Sequence, residues 1–252
     1  MPDRAATFAY ALALADDALV LGHRLSEWSS HGPTLEEDIA LSNLGLDLIG
    51  QARFFYTLAG EVEGKGRSED DLAYFRDASD YRNLLIVELP RGDFAFTMAR
   101  QFLYAAFMHP YFDALSRCAE PRLADIAAKA VKEMAYHVRH TGEWMVRLGD
   151  GTDESRRRIT DALDTIWGYT GEMFEMTPPE HALLSAGIAP DRTAIRPLWD
   201  RTIDHVLREA GLERPADRYM QTGGRTGLHT EHLGHMLAEM QSLARAHPGA
   251  TW

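Results

Sequence analysis

Residues 129–149 read KAVKEMAYHVRHTGEWMVRLG, and this stretch decides the fold. At about 3.6 residues per turn, Leu123, Ile126, Ala130, Met134, His137, Thr141, Met145 and Leu148 fall on one side. The stretch and the turns before it are therefore a long amphipathic helix with one face committed to a core. Pro121 opens it, where proline is tolerated in a first turn, and Gly149-Asp150-Gly151 closes it. Two inward residues, Met134 and His137, stand at i and i+3 and project from the same face.

Working outward, three more long helices can carry such a core. Thr7 to Ser29 is expected as the first, with Phe8, Ala11, Leu12, Ala15, Leu19, Gly22 and Leu25 inward. His31-Gly32-Pro33 ends it, and Thr34-x-x-Glu37 is a capping box that starts the second, running to about Glu61 with Leu41, Leu44, Leu48, Ala52, Phe55 and Leu58 inward. So short a link makes the two antiparallel neighbours. Phe94 to Arg117, with Asp93 as its cap, pairs in the same way with the quoted helix. Shorter helices are expected over 68–76, 153–176, 180–186, 191–210 and 228–246, and 84–89 is read as helical or irregular for want of a partner strand. The expectation is an all-α protein in a single domain over 1–252, with core helices over about 7–149 and peripheral helices over about 153–247.

A net charge of −12 argues against nonspecific nucleic-acid binding and against an anionic membrane surface. The lone cysteine, Cys118, leaves no intramolecular disulfide and fits a reducing compartment. The apolar N-terminal stretch is broken by Asp16 and Asp17 and lacks a cationic start and cleavage site, so neither a signal peptide nor a membrane span is expected. The chain is accordingly expected in the cytoplasm.

Met134 and His137 invite a test for metal. In di-iron four-helix bundles, two helices donate a Glu-x-x-His and two a single Glu, because two iron ions need hard anionic oxygens. Here a thioether stands in place of the acid at 134. The matching core-facing pair on the second helix is Leu48 and Gln51. That helix has no acid between Asp47 and Glu61, the helix from Phe94 through Phe112 has none at all, and Asp16, Asp17 and Glu27 lie off the first helix's apolar stripe. Leu48, Gln51, Met134 and His137 therefore read as degenerate metal-site positions, with no metal, no cofactor and no catalytic residue in this chain. His137 then becomes a core histidine with Gln51 as an expected hydrogen-bond partner. Glu133, four residues before His137, is a surface contact or a weak ligand, and Asp47 is a flank residue or a partner of Arg53 or Lys132.

Residues 222–235, TGGRTGLHTEHLGH, are the other unusual segment. A glycine-rich loop with Arg225 ahead of a helix can be a tight capped turn or a seat for phosphate. His229, His232 and His235 recur every third residue and drift around the helix; with Glu231 or Glu239 they could hold zinc, although HTEH is not HExxH. The rival to a metal-free chain is thus a stand-alone helical metalloenzyme using Glu133 and His137 or these C-terminal histidines.

Four segments, 21–55 (LGHRLSEWSSHGPTLEEDIALSNLGLDLIGQARFF), 83–102 (NLLIVELPRGDFAFTMARQF), 129–155 and 219–241, resemble the C-subunit family of the bacterial phenylacetyl-CoA epoxidase. The resemblance covers nearly the whole chain. It implies a ferritin-like bundle paralogous to the catalytic di-iron A subunit, with Leu48, Gln51, Met134 and His137 on that subunit's ligand positions. It implies a noncatalytic structural partner of the A subunit, working with B and reductase subunits. That complex epoxidises the ring of phenylacetyl-CoA with O2, using electrons from NADPH through flavin and iron–sulfur groups of the reductase. It further implies substrate contacts at Asp80, Tyr81, Arg82, Asn83, Ala182, Leu183 and Leu184. Arg82 suits a CoA phosphate, and equally suits a surface pair with Asp80.

Overall fold

The computed structural model describes residues 3–250, and among them it holds ten α-helices and no strand. Two long hairpins make a ferritin-like four-helix core: α1 (Arg4–Ser26) with α2 (Leu35–Glu63), and α5 (Phe94–Leu115) with α6 (Pro121–Gly149). The hairpins meet through α2 and α6, through the Tyr10 and Tyr111 hydroxyls 2.6 Å apart, and through the Trp28 indole donating to Thr97 Oγ1 at 2.9 Å. Short helices α3 (Glu69–Tyr74) and α4 (Leu85–Glu88) lie in the connection between the hairpins. Helices α7 (Asp153–Trp167) and α9 (Arg192–Glu209) cover α5 and α6, α8 (Pro178–Ser185) lies on α1, and α10 (Glu231–Ala246) packs on α3.

The Thr34 and Asp93 caps follow the chemistry of the sequence, but only half of the Thr34–Glu37 capping box forms, because the Glu37 carboxylate turns toward His140 at 3.1 Å. Thr34 accepts from the Glu37 N–H and Asp93 from the Phe96 N–H, each satisfying a first-turn donor that has no partner within the helix. Helix α2 ends at Gly64, whose φ of 70° is the left-handed C-terminal turn that glycine adopts without a Cβ penalty. Of the stripe read from its sequence, helix α6 buries Leu123, Ala130, Met134, His137, Thr141 and Met145, while Ile126 and Leu148 are half-buried at its edges and Ala127 is buried in addition. Helix α5 is different: enclosed on several sides, it buries Phe102, Phe107, Tyr111 and Phe112 in more than one direction, each worth about 1.5–3 kcal/mol over exposure.

Three boundaries depart from the sequence reading. Helix α7 stops at Trp167 rather than continuing to Met176, because the Tyr169 and Thr170 N–H groups and the Thr170 hydroxyl fold back onto Ile166 and Trp167. Helix α10 starts at Glu231 rather than Leu228, since His229 and the Thr230 N–H are held by Glu88. Helix α1 begins at Arg4 behind an Asp3 cap and ends at Ser26. It is also the one helix among the described residues long and apolar enough to cross a membrane, but most of that run is buried in the bundle.

Candidate functional site

Leu48 and Gln51 from α2 and Met134 and His137 from α6 are all buried, as their pattern requires. Gln101 of α5 joins them: its Nε2 lies 3.0 Å from His137 Nδ1, while Asp47 Oδ2 lies 3.2 Å from His137 Nε2. With the amide donating to Nδ1, the imidazole proton sits on Nε2 and is directed at Asp47. Gln51 is therefore not the partner of His137; it donates to Glu133 Oε2 at 2.8 Å. Glu133 also faces Lys129 at 3.5 Å and makes no bond to His137. Asp47, read as a flank residue or a partner of Arg53 or Lys132, instead completes the His137 pair. The apolar stripe of each helix fixes which residues turn inward but not how far one helix slides along the next, and that offset selects the partners.

This donor set is one leucine, one thioether, two amides and one imidazole. Two iron ions need several anionic oxygens, so the residues present do not fit a di-iron centre. Gln101 Oε1 is buried without a hydrogen-bond partner among the described residues, but it is a neutral acceptor. Among the described residues no three His, Cys, Asp or Glu side chains converge as a metal cage.

Anionic side chains do enter the interior elsewhere, correcting the expectation that helix one places none there. Asp16 and Asp17 are fully buried because α1 is covered on nearly every side. Asp16 accepts from Arg76 through both oxygens, from the Tyr56 hydroxyl at 2.5 Å and from the Arg82 N–H at 2.8 Å. Asp17 accepts from Arg225 Nη2 at 2.5 Å and from the Leu84 N–H at 2.7 Å; burial nevertheless pushes its carboxyl up to about 6 against the pull of Arg225. Glu180 and Arg192 form a third buried pair at 2.6 Å, in which burial raises the carboxyl but Arg192, Arg225 and the Thr177 N–H together more than offset it, leaving Glu180 below its ordinary value.

The glycine-rich loop does cradle an anion, and the anion is the chain's own Glu172. The Gly223 and Arg225 N–H groups donate to Glu172 Oε1 at 2.9 and 3.4 Å, and the Leu85 N–H to Oε2 at 2.8 Å. Arg225 is committed to Asp17 and to the Ala13 and Arg82 carbonyls, so a phosphate has no seat here. Gly224 passes so close to the Asn83 carbonyl that any Cβ would collide with it. The three histidines separate: His229 is turned onto Glu88, His232 is half-buried and His235 is exposed.

Asp80 and Arg82 face a groove of about 300 Å³, shared with Tyr10, Pro179, Arg225 and Thr226. Its size is at the lower end for a ligand site, enough for one end of a larger molecule. Arg82 makes no ion pair with Asp80; its Nη1 donates to the Ser79 and Tyr81 carbonyls at 2.7 and 2.6 Å. No other nitrogen of its guanidinium is engaged among the described residues. The remaining residues implied by the resemblance divide. Tyr81, Asn83 and Leu183 are fully buried, with the Tyr81 hydroxyl donating to the Ala73 carbonyl and Asn83 Nδ2 to Glu88 Oε2 at 2.8 Å. Ala182 is exposed and Leu184 half-buried on α8, whose first turn forms a wall of the groove. Sequence reasoning missed Gln101, although an amide in a long acid-free apolar helix is a visible signal.

The family profile for "Phenylacetic acid catabolic protein" matches residues 1–252. The chain is 47% identical over 244 residues to the C subunit of the 1,2-phenylacetyl-CoA epoxidase of Escherichia coli (strain K12), covering 97% of this chain and 98% of that protein.

Proposed function

The chain belongs to the family of phenylacetic acid catabolic proteins, and from that premise we propose that it is the noncatalytic C-type subunit of a 1,2-phenylacetyl-CoA epoxidase. Its task is to pack against the di-iron A-type subunit and hold that bundle in shape. The iron belongs to that partner, and the flavin and iron–sulfur groups that relay electrons from NADPH belong to a reductase subunit. The carrying observation is the interior donor set: where a di-iron bundle needs carboxylates, this one presents Leu48, Gln51, Gln101 and Met134 around His137.

A docking face supports the reading. Leu35, Ile39, Leu46 and Phe54 lie on one side of α2 and remain exposed, with Tyr136 of α6 also exposed. Apolar residues at helical spacing that are left wet fit a helix-on-helix partner surface. The groove holding Arg82 borders the acyl-CoA in this reading, its guanidinium meeting a CoA phosphate. Co-expression with the A-type subunit tests the role. The wild-type chain co-purifies as a complex that carries iron, whereas the chain alone carries well under one metal ion and has no epoxidase activity; Ile39→Glu with Leu46→Glu abolishes co-purification without unfolding the chain. Stoichiometric metal in the isolated chain, or a complex indifferent to both substitutions, refutes it.

A further inference from the structure

The segment 223–230 runs as a strap across the top of α1 and α4, and Arg225 and Thr226 in it form one wall of the groove. Backbone and arginine contacts to Glu172 and Asp17 hold one end of the strap. At the other end His229 enters the protein, its side chain 5% exposed, and each ring nitrogen meets an oxygen: Nδ1 lies 2.8 Å from Glu88 Oε2 and Nε2 lies 3.1 Å from the Tyr81 carbonyl.

A carbonyl oxygen can only accept, so Nε2 must donate. Glu88 Oε2 also takes the Asn83 amide at 2.8 Å, and Oε1 takes the Thr230 N–H at 2.6 Å. Both oxygens are thus already accepting, and a carboxylate only accepts. Nδ1 must then donate as well, and an imidazole that donates from both nitrogens is the imidazolium. The charged groups around it are consistent: Glu88 from α4 and Asp16 from α1 raise the affinity for the proton. Arg24 of α1 turns its guanidinium onto the Glu88 and His232 carbonyls rather than the Glu88 carboxylate, and Arg76 is engaged with Asp16.

We propose that His229 is a cationic pin that locks the 223–230 strap onto Glu88, and that loss of its proton releases that end of the strap. Burial lowers the affinity of His229 for its proton, but the hydrogen bond and charge of Glu88 outweigh it and set the balance above the ordinary value. A histidine so raised stabilises fully below its unfolded value of about 6.5, and the stabilisation is lost as pH rises through the folded value. The strap is therefore closed in mild acid and loosens as pH rises through the folded value.

Nitrogen-15 NMR of the ring in the full-length chain tests this directly. At pH 6.5 both His229 nitrogens should be protonated, with the transition lying above that of an unperturbed histidine. Amide exchange at Thr230, corrected for the intrinsic base-catalysed rate, should rise several-fold across the same transition. Glu88→Gln should move the transition down in pH, and His229→Gln should remove the step in exchange. A neutral His229 tautomer at pH 6.5 overturns the proposal, as does a step in Thr230 exchange that persists in His229→Gln.

Discussion

Two depths of one bundle handle buried polarity in opposite ways. Around His137, where α2, α5 and α6 meet, the fully buried side chains are neutral or apolar, and the nearest carboxylate, Asp47, sits at the half-exposed rim. Around α1, buried acids remain: Asp16 faces Arg76, Asp17 faces Arg225, Glu180 faces Arg192, Glu172 faces backbone N–H groups and Glu88 faces His229. A buried carboxylate must have a countercharge or several donors, since its desolvation otherwise costs several kcal/mol. Where arginine or backbone supplies them, the acid stays. Where the counter-ion in a related bundle would be iron, the acids are absent and the space is filled by Leu48 and Met134.

The sharpest break of that contrast is Arg76→Met. It leaves the buried Asp16 carboxyl without its counter-ion and should cost about 3–5 kcal/mol in urea unfolding; adding Asp16→Leu should recover a large part of it. A loss under about 1 kcal/mol would show that the pair does not hold α1 to the helices around it.

Next comes pH. The folded chain binds the Asp17 proton more tightly than the unfolded chain, about 6 against 3.8, so this group makes stability fall as pH rises through that interval. At about 1.4 kcal/mol per unit, the decline is about 2–3 kcal/mol. Asp17→Asn should flatten the profile between pH 4 and 6, and an unchanged difference between pH 4 and 6 contradicts the assignment.

The neutral depth should respond less. Gln101→Leu strips His137 Nδ1 of its partner and should cost about 1–3 kcal/mol in the same measurement. Met134→Leu, nearly equal in volume, should cost less than about 1.5 kcal/mol and leave metal content unchanged. A larger loss at 134 would give the thioether a role beyond filling space.

Helix α6 was legible in the sequence because only one of its faces is buried, so its period of apolar residues is clean. Helices α1 and α5 were legible as helices, and the stripe read for α1 is buried apart from half-buried Phe8, but the burial of their other faces was not legible. A helix enclosed on nearly all sides has no polar face to mark the outside, and Asp16 and Asp17 read as surface for that reason. The burial of Leu48, Gln51, Met134 and His137 followed from spacing along single helices, whereas the His137–Gln101–Asp47 contacts depend on the offset between helices, which no single-helix pattern encodes. The glycine loop read as either a tight capped turn or a seat for phosphate; that it receives Glu172, 51 residues away from Gly223, was not legible.

The Asp17–Arg225 pair joins positions 208 residues apart. While the chain is being made, the first hairpin can close and Arg76 can reach Asp16 early, yet Asp17 has no cation until Arg225 emerges. Helix α1 is thus completed by a segment made long after it, and its burial settles only once the intervening helices exist.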